Sequence, residues 1–162
     1  MPKRIPLSEW EYTKIAVIRF GGADEIMQTL PAIRVLSRQY ADVQIHFVVK
    51  EEFAEILQNV KEITKIHKIK KEPWALTKTH DEIAKEHCGL VLDLQNDFQS
   101  AYLYSAFPSA PKRMYQKYMW ASFLEKLGIK SLGVTPPPLW QRFLHTLPRQ
   151  NYEVSERDFE LP

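Results

Sequence analysis

The sequence predicts an α/β fold with a doubly wound, mostly parallel sheet covered by helices on both faces. Three observations predict it. Short β-branched apolar runs alternate with stretches of helical periodicity along the whole first part of the chain, the order expected of parallel strands joined by crossover helices. The first run, KIAVIRF (Lys14–Phe20), stops at Gly21-Gly22 and hands over to an acid-led helix, as a buried strand does. The composition, with 44% hydrophobic and 26% charged residues, is that of a globular chain rather than a disordered one. At 162 residues one domain is expected, and a domain of that size buries roughly 70% of the surface its unfolded chain exposes.

The elements follow in order. Asp24 and Glu25 open a helical stretch through Tyr40, because a first turn favours negative charge. Ile26, Leu30, Ile33 and Leu36 share one face of it. Pro31 interrupts the pattern and calls for either a kink or a fresh helix start. Gln44–Val49 is a second strand and Glu51–Val60 a short helix. Ile66–Ile69 is a weak third strand within a lysine-rich run, and Trp74–Lys85 a helix. Leu90–Leu94 is a clear fourth strand after the turn residue Gly89. A helical pattern over Ser100–Phe107, a fifth strand at Lys112–Tyr115 and a helix at Tyr118–Leu127 closed by Gly128 complete the series. Residues 130–162 differ, with the stiff Pro136-Pro137-Pro138 and a polar tail. The expected organisation is a domain over 1–129 followed by a Pro-containing linker or C-terminal appendage over 130–162.

Charge and cysteine usage narrow the function classes. A net charge of +2 gives no argument for nucleic acid. Cys88 is the single cysteine, so neither an internal disulfide nor a Cys-x-x-Cys zinc pair is available, which suits a reducing, cytoplasmic setting. MPKRIPLSEWEY has no apolar core of a signal peptide, and no apolar run approaches the roughly 20 residues that span a bilayer.

The first strand-to-helix turn, RFGGADE, is the strongest local signal for chemistry. Two glycines there let backbone amides approach a ligand, with Asp24 and Glu25 at the strand end. The turn is neither G-x-G-x-x-G nor a P-loop; a tight turn with an acidic helix start explains it equally well. Asp93 lies near the end of the fourth strand with Gln95, Asn96 and Asp97 beyond it. In a doubly wound sheet these share the carboxyl edge with Glu25, although a loop that hydrogen-bonds itself is the competing account of Asn96 and Asp97. Lys61–Lys71 reads as a strand edge protected by lysines more readily than as a binding patch. Tyr115, Tyr118, Trp120 and Phe123 read as core and helix packing rather than a sugar platform. The five histidines, His46, His67, His80, His87 and His145, show no metal-ligand spacing, and His46, inside a strand, reads as structural. No Gly-x-Ser-x-Gly elbow supports a hydrolase.

Taken in order, VIRFGGADEIMQTLPAIRVLSRQYADVQIHFVVKEEFAEILQ resembles the opening of the heptosyltransferases, glycosyltransferase family nine. Thr29, Leu30, Pro31 and Ala32 match the family's Thr-Leu-Pro-Ala segment. LVLDLQNDFQSA (Leu90–Ala101) is similar to its Asp-Leu-Gln-Gly-Asn-x-x-Ser segment, KRMY (Lys112–Tyr115) to its Lys-Arg-x-Gly-Tyr strand, and WASFLEKLGI (Trp120–Ile129) to the helix that closes its first domain. The resemblance covers Lys14 to Ile129. The family's two turn serines fall on Gly21 and Gly22, and its Gly-Asp falls on Asp24-Glu25, so the family's base aspartate corresponds to a glutamate. Gln99 stands where many members carry a basic residue.

The resemblance implies a Rossmann-like domain, the N-terminal half of a two-domain GT-B fold whose C-terminal half binds the nucleotide sugar. It implies an acceptor-side role in lipopolysaccharide core assembly, with Glu25 or Asp24 as general base. The implied acceptor contacts are Gly21, Gly22, Gln28, Thr29, Asp93, Gln95, Asn96, Lys112 and Arg113. The partners it implies are a glycolipid or sugar acceptor, a separate donor-binding domain or subunit, and peripheral contact with the inner membrane of a Gram-negative bacterium from the cytoplasmic side. No cofactor, metal or nucleic acid is implied. Two other readings stay open: a non-catalytic binding module that keeps the fold, and a generic nucleotide-binding domain.

Overall fold

The computed structural model describes residues 7–129 and 136–162, apart from the side chain of Trp120. Its strands are β1 (Lys14–Ile18), β2 (Gln44–Lys50), β3 (Ile63–Ile69), β4 (Leu90–Asp93) and β5 (Lys112–Met114). Its helices are α1 (Ala23–Met27), α2 (Leu30–Gln39), α3 (Ala54–Leu57), α4 (Ala75–Ala84), α5 (Phe98–Tyr104), α6 (Met119–Lys126) and α7 (Leu139–Leu144), with short 3-10 turns at Leu7–Glu9, Glu51–Phe53 and Glu156–Phe159.

The five strands form one parallel sheet in the order β3-β2-β1-β4-β5. β1 is central, and every residue from Ile15 to Ile18 is buried. Because successive side chains alternate, Ile15 and Val17 face one core while Ala16 and Ile18 face the other. The first core is filled by Leu30, Ile33 and Leu36 of α2, Leu57 of α3 and Phe143 of α7; the second by Ile83 of α4 and Leu103 of α5. The doubly wound sheet expected from the sequence is therefore present. The order reverses between β1 and β4, which makes the carboxyl ends of these two strands the topological switch point.

Pro31 marks a fresh start. α1 ends at Met27, and α2 begins two residues after Gln28, with the proline in its first turn, where a missing N–H costs nothing. β3 is longer than expected and lies at the sheet edge. Its lysines are exposed: Lys65 pairs with Glu86, and Lys71, just beyond the strand, pairs with Glu52. That is the protected edge rather than a free basic patch. α6 is the outlier. Met119, Phe123 and Leu127 are at least half exposed, so Phe123 is not the core residue its periodicity indicated.

Residues 136–162, read from sequence as linker or appendage, lie against the domain; 130–135 fall outside the described residues. Phe143, Leu144 and Leu147 are fully buried in the first core. The tail is clamped to α2 by ion pairing. Asp158, 2% exposed, accepts from Arg38 Nη1 at 2.6 Å and Nη2 at 3.1 Å, and from the Ser155 amide at 2.9 Å. Arg34 adds a bond to the Arg157 carbonyl at 2.7 Å.

This clamp has a pH signature. The Arg38 guanidinium, with help from the Ser155 bonds, holds the Asp158 carboxyl below its ordinary value. A carboxylate depressed on folding contributes stability that is complete above its unfolded pKa of about 3.9 and is lost as pH falls through the folded value. Asp158→Asn is expected to cost about 1.5–3 kcal/mol at pH 7 and to flatten the acid limb of stability below about pH 4. Urea unfolding of both proteins across pH 3–7 measures this; parallel curves over the whole range would contradict it.

Candidate functional site

The switch point is built around Arg19, which follows β1 directly. Its side chain is 5% exposed. Nη1 donates to the Leu94 carbonyl at 2.7 Å, tying β1 to the end of β4. Nη2 donates to Glu25 Oε2 in a short ion pair. The guanidinium carbon sits 5.7 Å from the Tyr115 ring centre and 5.4 Å from that of Phe143, within cation–π range. Sequence reading passed over this residue. Arg19 falls inside the run read as a buried strand, and nothing local signals that Tyr115 and Phe143 will cover its charge.

Glu25 is held by that pair at the first turn of α1, with its side chain 44% exposed. Among the described residues its second oxygen, Oε1, has no hydrogen-bond partner, so it can accept from a ligand hydroxyl. Asp24, its neighbour, is exposed and has no such anchor. The two glycines differ. A Cβ on Gly21 would fall onto Glu25 Oε2 and lie 2.8 and 2.9 Å from Arg19 Nη2 and Nε, whereas a Cβ on Gly22 would meet nothing within 4 Å. The ion pair in this geometry therefore leaves no room for a Cβ at Gly21, and Gly22 leaves open space above the turn.

The opposite wall is the β4–α5 loop. Asp93 is 1% exposed and fully engaged: Oδ1 accepts from the amides of Gln95 (3.1 Å) and Asn96 (2.7 Å), and Oδ2 from the Ser100 hydroxyl (2.9 Å). It shapes the turn from within. Gln95 Oε1 accepts from the Phe20 amide at 3.0 Å, and its Nε2 donates to Asp97 at 2.7 Å, which closes the seam between β1 and β4. Asn96 sits at φ +53, a backbone that asparagine tolerates, and donates to the Tyr115 carbonyl at 3.1 Å. Asp97 caps α5 in a capping box with Ser100; its carboxyl is held low by the Ser100 amide and by Gln95 against the opposing effect of burial. The self-bonded loop accounts for Asn96 and Asp97.

The remaining candidates are dispersed. Thr29 is fully buried and donates to the Ile26 carbonyl at 2.6 Å. Gln28 is the half-buried residue that ends α1. Lys112 lies over the Tyr104 ring at 4.6 Å, and Arg113 donates to the Thr146 carbonyl at 2.6 Å, so these neighbours engage different parts of the structure. Cys88 is buried, and burial pushes its thiol up to about 12, which leaves no thiolate for nucleophilic chemistry.

A pocket of about 460 Å³ opens beside this edge. Tyr115, Tyr118 and Phe123 line it together with Lys117, Lys126 and Arg142. Its link to the turn is direct, because the Tyr115 amide bonds the Asp93 carbonyl at 3.3 Å and both the Arg19 and Arg142 guanidinium carbons come within 6.0 Å of the Tyr115 ring centre. Arg142 also stacks on Tyr118 at 5.6 Å. Of the aromatic stretch read as core, Tyr115 is buried, while Tyr118 and Phe123 form pocket walls. Arg142 was invisible in sequence because it comes from α7, beyond the segment that carried the motifs.

No protein-family model and no curated protein sequence matches the chain. Solved structures do. A glycosyl transferase family 9 protein from Veillonella parvula aligns with 95% of this chain at a TM-score of 0.66 and 14% identity, over 43% of its own length. The E. coli heptosyltransferase WaaC, solved with ADP-2-deoxy-2-fluoro heptose, aligns with 82% at 0.63 and 15% identity, over 46% of its length. E. coli ADP-heptose lps heptosyltransferase II aligns with 82% at 0.59 and 17% identity, over 39% of its length. The chain thus has the Rossmann-like fold of one half of a GT-B glycosyltransferase, and it spans less than half the length of each of these three structures.

The asymmetry between the glycines can be measured. Gly21→Ala is expected to destabilise the protein by about 1–3 kcal/mol, because the buried guanidinium cannot retreat from the new methyl. Gly22→Ala should stay within about 0.5 kcal/mol of the parent. Equal losses in chemical denaturation would refute the role given to the Arg19–Glu25 pair.

Proposed function

We propose that the chain is the acceptor-binding half of a heptosyltransferase-like glycosyltransferase that acts in lipopolysaccharide core assembly. The observation that carries the reading is the unbroken polar path along the carboxyl edge. It runs from Glu25 through Arg19 and Tyr115 to Arg142, Lys117 and Lys126. A carboxylate with one free oxygen stands at one end, and a basic, aromatic-walled pocket at the other.

That arrangement suits an anionic saccharide. Arginine and lysine recognise phosphate or carboxylate groups on a sugar, and aromatic walls accept the apolar faces of its ring. Glu25 Oε1 then receives the proton of the attacking hydroxyl as the nucleotide leaves, while Arg19 fixes the carboxylate from behind. Asp93 and Gln95 act on the acceptor indirectly, by holding the loop, and Asn96 stands at its tip. The donor is bound by a second domain or subunit, without which the chain is inactive. A glycolipid acceptor would bring the chain to the cytoplasmic face of the inner membrane as a peripheral protein; no described helix is long and apolar enough to cross one.

A second reading has its own support. Glu25 is half spent on Arg19, and Gln95 fills the seam between β1 and β4, as suits a binding module that keeps the fold without the chemistry.

One set of measurements separates them. The isolated chain is expected to bind a phosphorylated lipopolysaccharide core saccharide, with Lys117→Ala and Lys126→Ala each weakening it several-fold, and to bind ADP-sugar weakly if at all. Supplied with a donor-binding domain, it should transfer sugar, and Glu25→Gln should lower kcat by about 10²–10⁴-fold. Acceptor binding without transfer would establish the binding module, and tight ADP-sugar binding by the chain alone would contradict both.

A further inference from the structure

At the other end of the sheet lies a polar cluster that none of this uses. β3 is an edge strand whose residues are exposed or half-buried, with one exception: His67 is fully buried. β2 contributes His46, 3% exposed. The register pairs His46 with Lys65 and His67 with Val48, so the two imidazoles are diagonal neighbours on one face. It is the face that Val48 shares with Ile83 of α4. α4 and the residues after it bring Glu82 and Glu86 over the pair.

The hydrogen bonds assign the protons. Glu82 Oε1 lies 2.7 Å from His67 Nδ1. A carboxylate only accepts, so Nδ1 carries the proton and the Nε2 lone pair is bare. That lone pair faces His46 Nδ1 at 3.1 Å, and Glu86 Oε2 lies 3.8 Å from the same Nδ1. The bare His67 Nε2 therefore accepts the proton of His46 Nδ1, and an ion bound at Nδ1 shifts that proton to His46 Nε2, which is buried with no partner among the described residues. One donor atom from each of His46, His67 and Glu86 lies within 4.8 Å of the others. Donors sharing a tetrahedral ion at metal–ligand distances near 2.0–2.2 Å stand about 3.3–3.5 Å apart, a spacing that small side-chain adjustments reach.

We propose that His46, His67 and Glu86 bind one divalent transition-metal ion of the zinc class, with Glu82 as the outer carboxylate that orients His67. The donor set, two imidazoles and a carboxylate, suits zinc and its neighbours rather than calcium or magnesium. The Glu82–His67 bond is the carboxylate–histidine pairing typical of ligating imidazoles. The site is structural. Lys14, the first residue of β1, bonds the Glu86 carbonyl at 3.2 Å, so the cluster lies at the amino end, away from Glu25. An ion there pins the edge strand to α4. Its competitor is Lys65, which pairs with Glu86 Oε1 while Oε2 faces His46, so that its positive charge opposes the ion. Lys14 Nζ, 3.9 Å from Glu86 Oε2, opposes the ion more weakly.

The test titrates the metal-stripped full chain with zinc chloride by calorimetry and with Co²⁺ by its visible ligand-field absorption. One ion per chain is expected, with Kd on the order of 10 µM or tighter, a higher melting temperature and a four-coordinate Co²⁺ spectrum. Glu86→Gln should weaken binding at least ten-fold and Glu82→Gln by about 10–100-fold, while Lys65→Ala should tighten it. Both glutamates reach solvent, so these variants keep the test valid if His67→Gln fails to fold. His145→Ala is the control and should change nothing. Weaker or non-stoichiometric binding overturns the proposal, as does tight binding indifferent to Glu86 and Glu82.

Discussion

A buried arginine at the end of the central strand is the constraint on which the rest of this structure depends. Removing a guanidinium from water costs several kcal/mol unless its donors are met. Arg19 meets most of that demand with a carbonyl from the end of β4, a carboxylate from α1 and two aromatic faces from after β5 and from α7, while its Nε has no hydrogen-bond partner among the described residues. Each partner belongs to a different element. The elements around the carboxyl edge are thus positioned by one side chain as much as by the apolar cores beneath it. Gly21 follows from the same demand, since any Cβ there would occupy the ion pair's space.

The consequence for function is a filled crevice. In many doubly wound sheets the switch point is an open cleft that takes a nucleotide. Here Arg19 and Gln95 stitch β1 to the β4 loop, and Asp93 is consumed in shaping that loop. What stays open lies further out, at the second oxygen of Glu25 and in the basic pocket beyond Tyr115, and it is there that the proposed function puts recognition.

Much of the fold was legible because it rests on local periodicity. Lys14–Phe20, Gln44–Val49 and Leu90–Leu94 are apolar runs with few alternatives, and each is a strand within two residues of the expected bounds. Pro31 left two outcomes open that only packing could decide. What could not be read depends on distant partners. Arg19 is a charge inside a run read as a buried strand, and the ring that covers it, Phe143, comes over a hundred residues later. The apolar spacing of Phe143, Leu144 and Leu147 is hidden among prolines and polar residues, so the segment resembles a linker although it completes the first core. His46 and His67 fail every linear ligand spacing because their proximity is created by strand register.

The dependence on Arg19 also limits how the candidate site can be dissected. Leaving a buried charge without its partner costs about 3–5 kcal/mol, against a total stability of about 5–15 kcal/mol for a domain. A variant that removes Glu25 altogether therefore perturbs the scaffold and the chemistry together. Glutamine keeps an oxygen for the guanidinium while abolishing the proposed proton acceptor, so it separates the two roles. The amino-end cluster is different in kind. Its histidines lie on a face packed by α4 while its glutamates sit at the rim, so substitution at Glu82 or Glu86 probes the cluster without opening the core. The domain thus carries one polar centre fused to its architecture at the carboxyl edge and one detachable from it at the amino end.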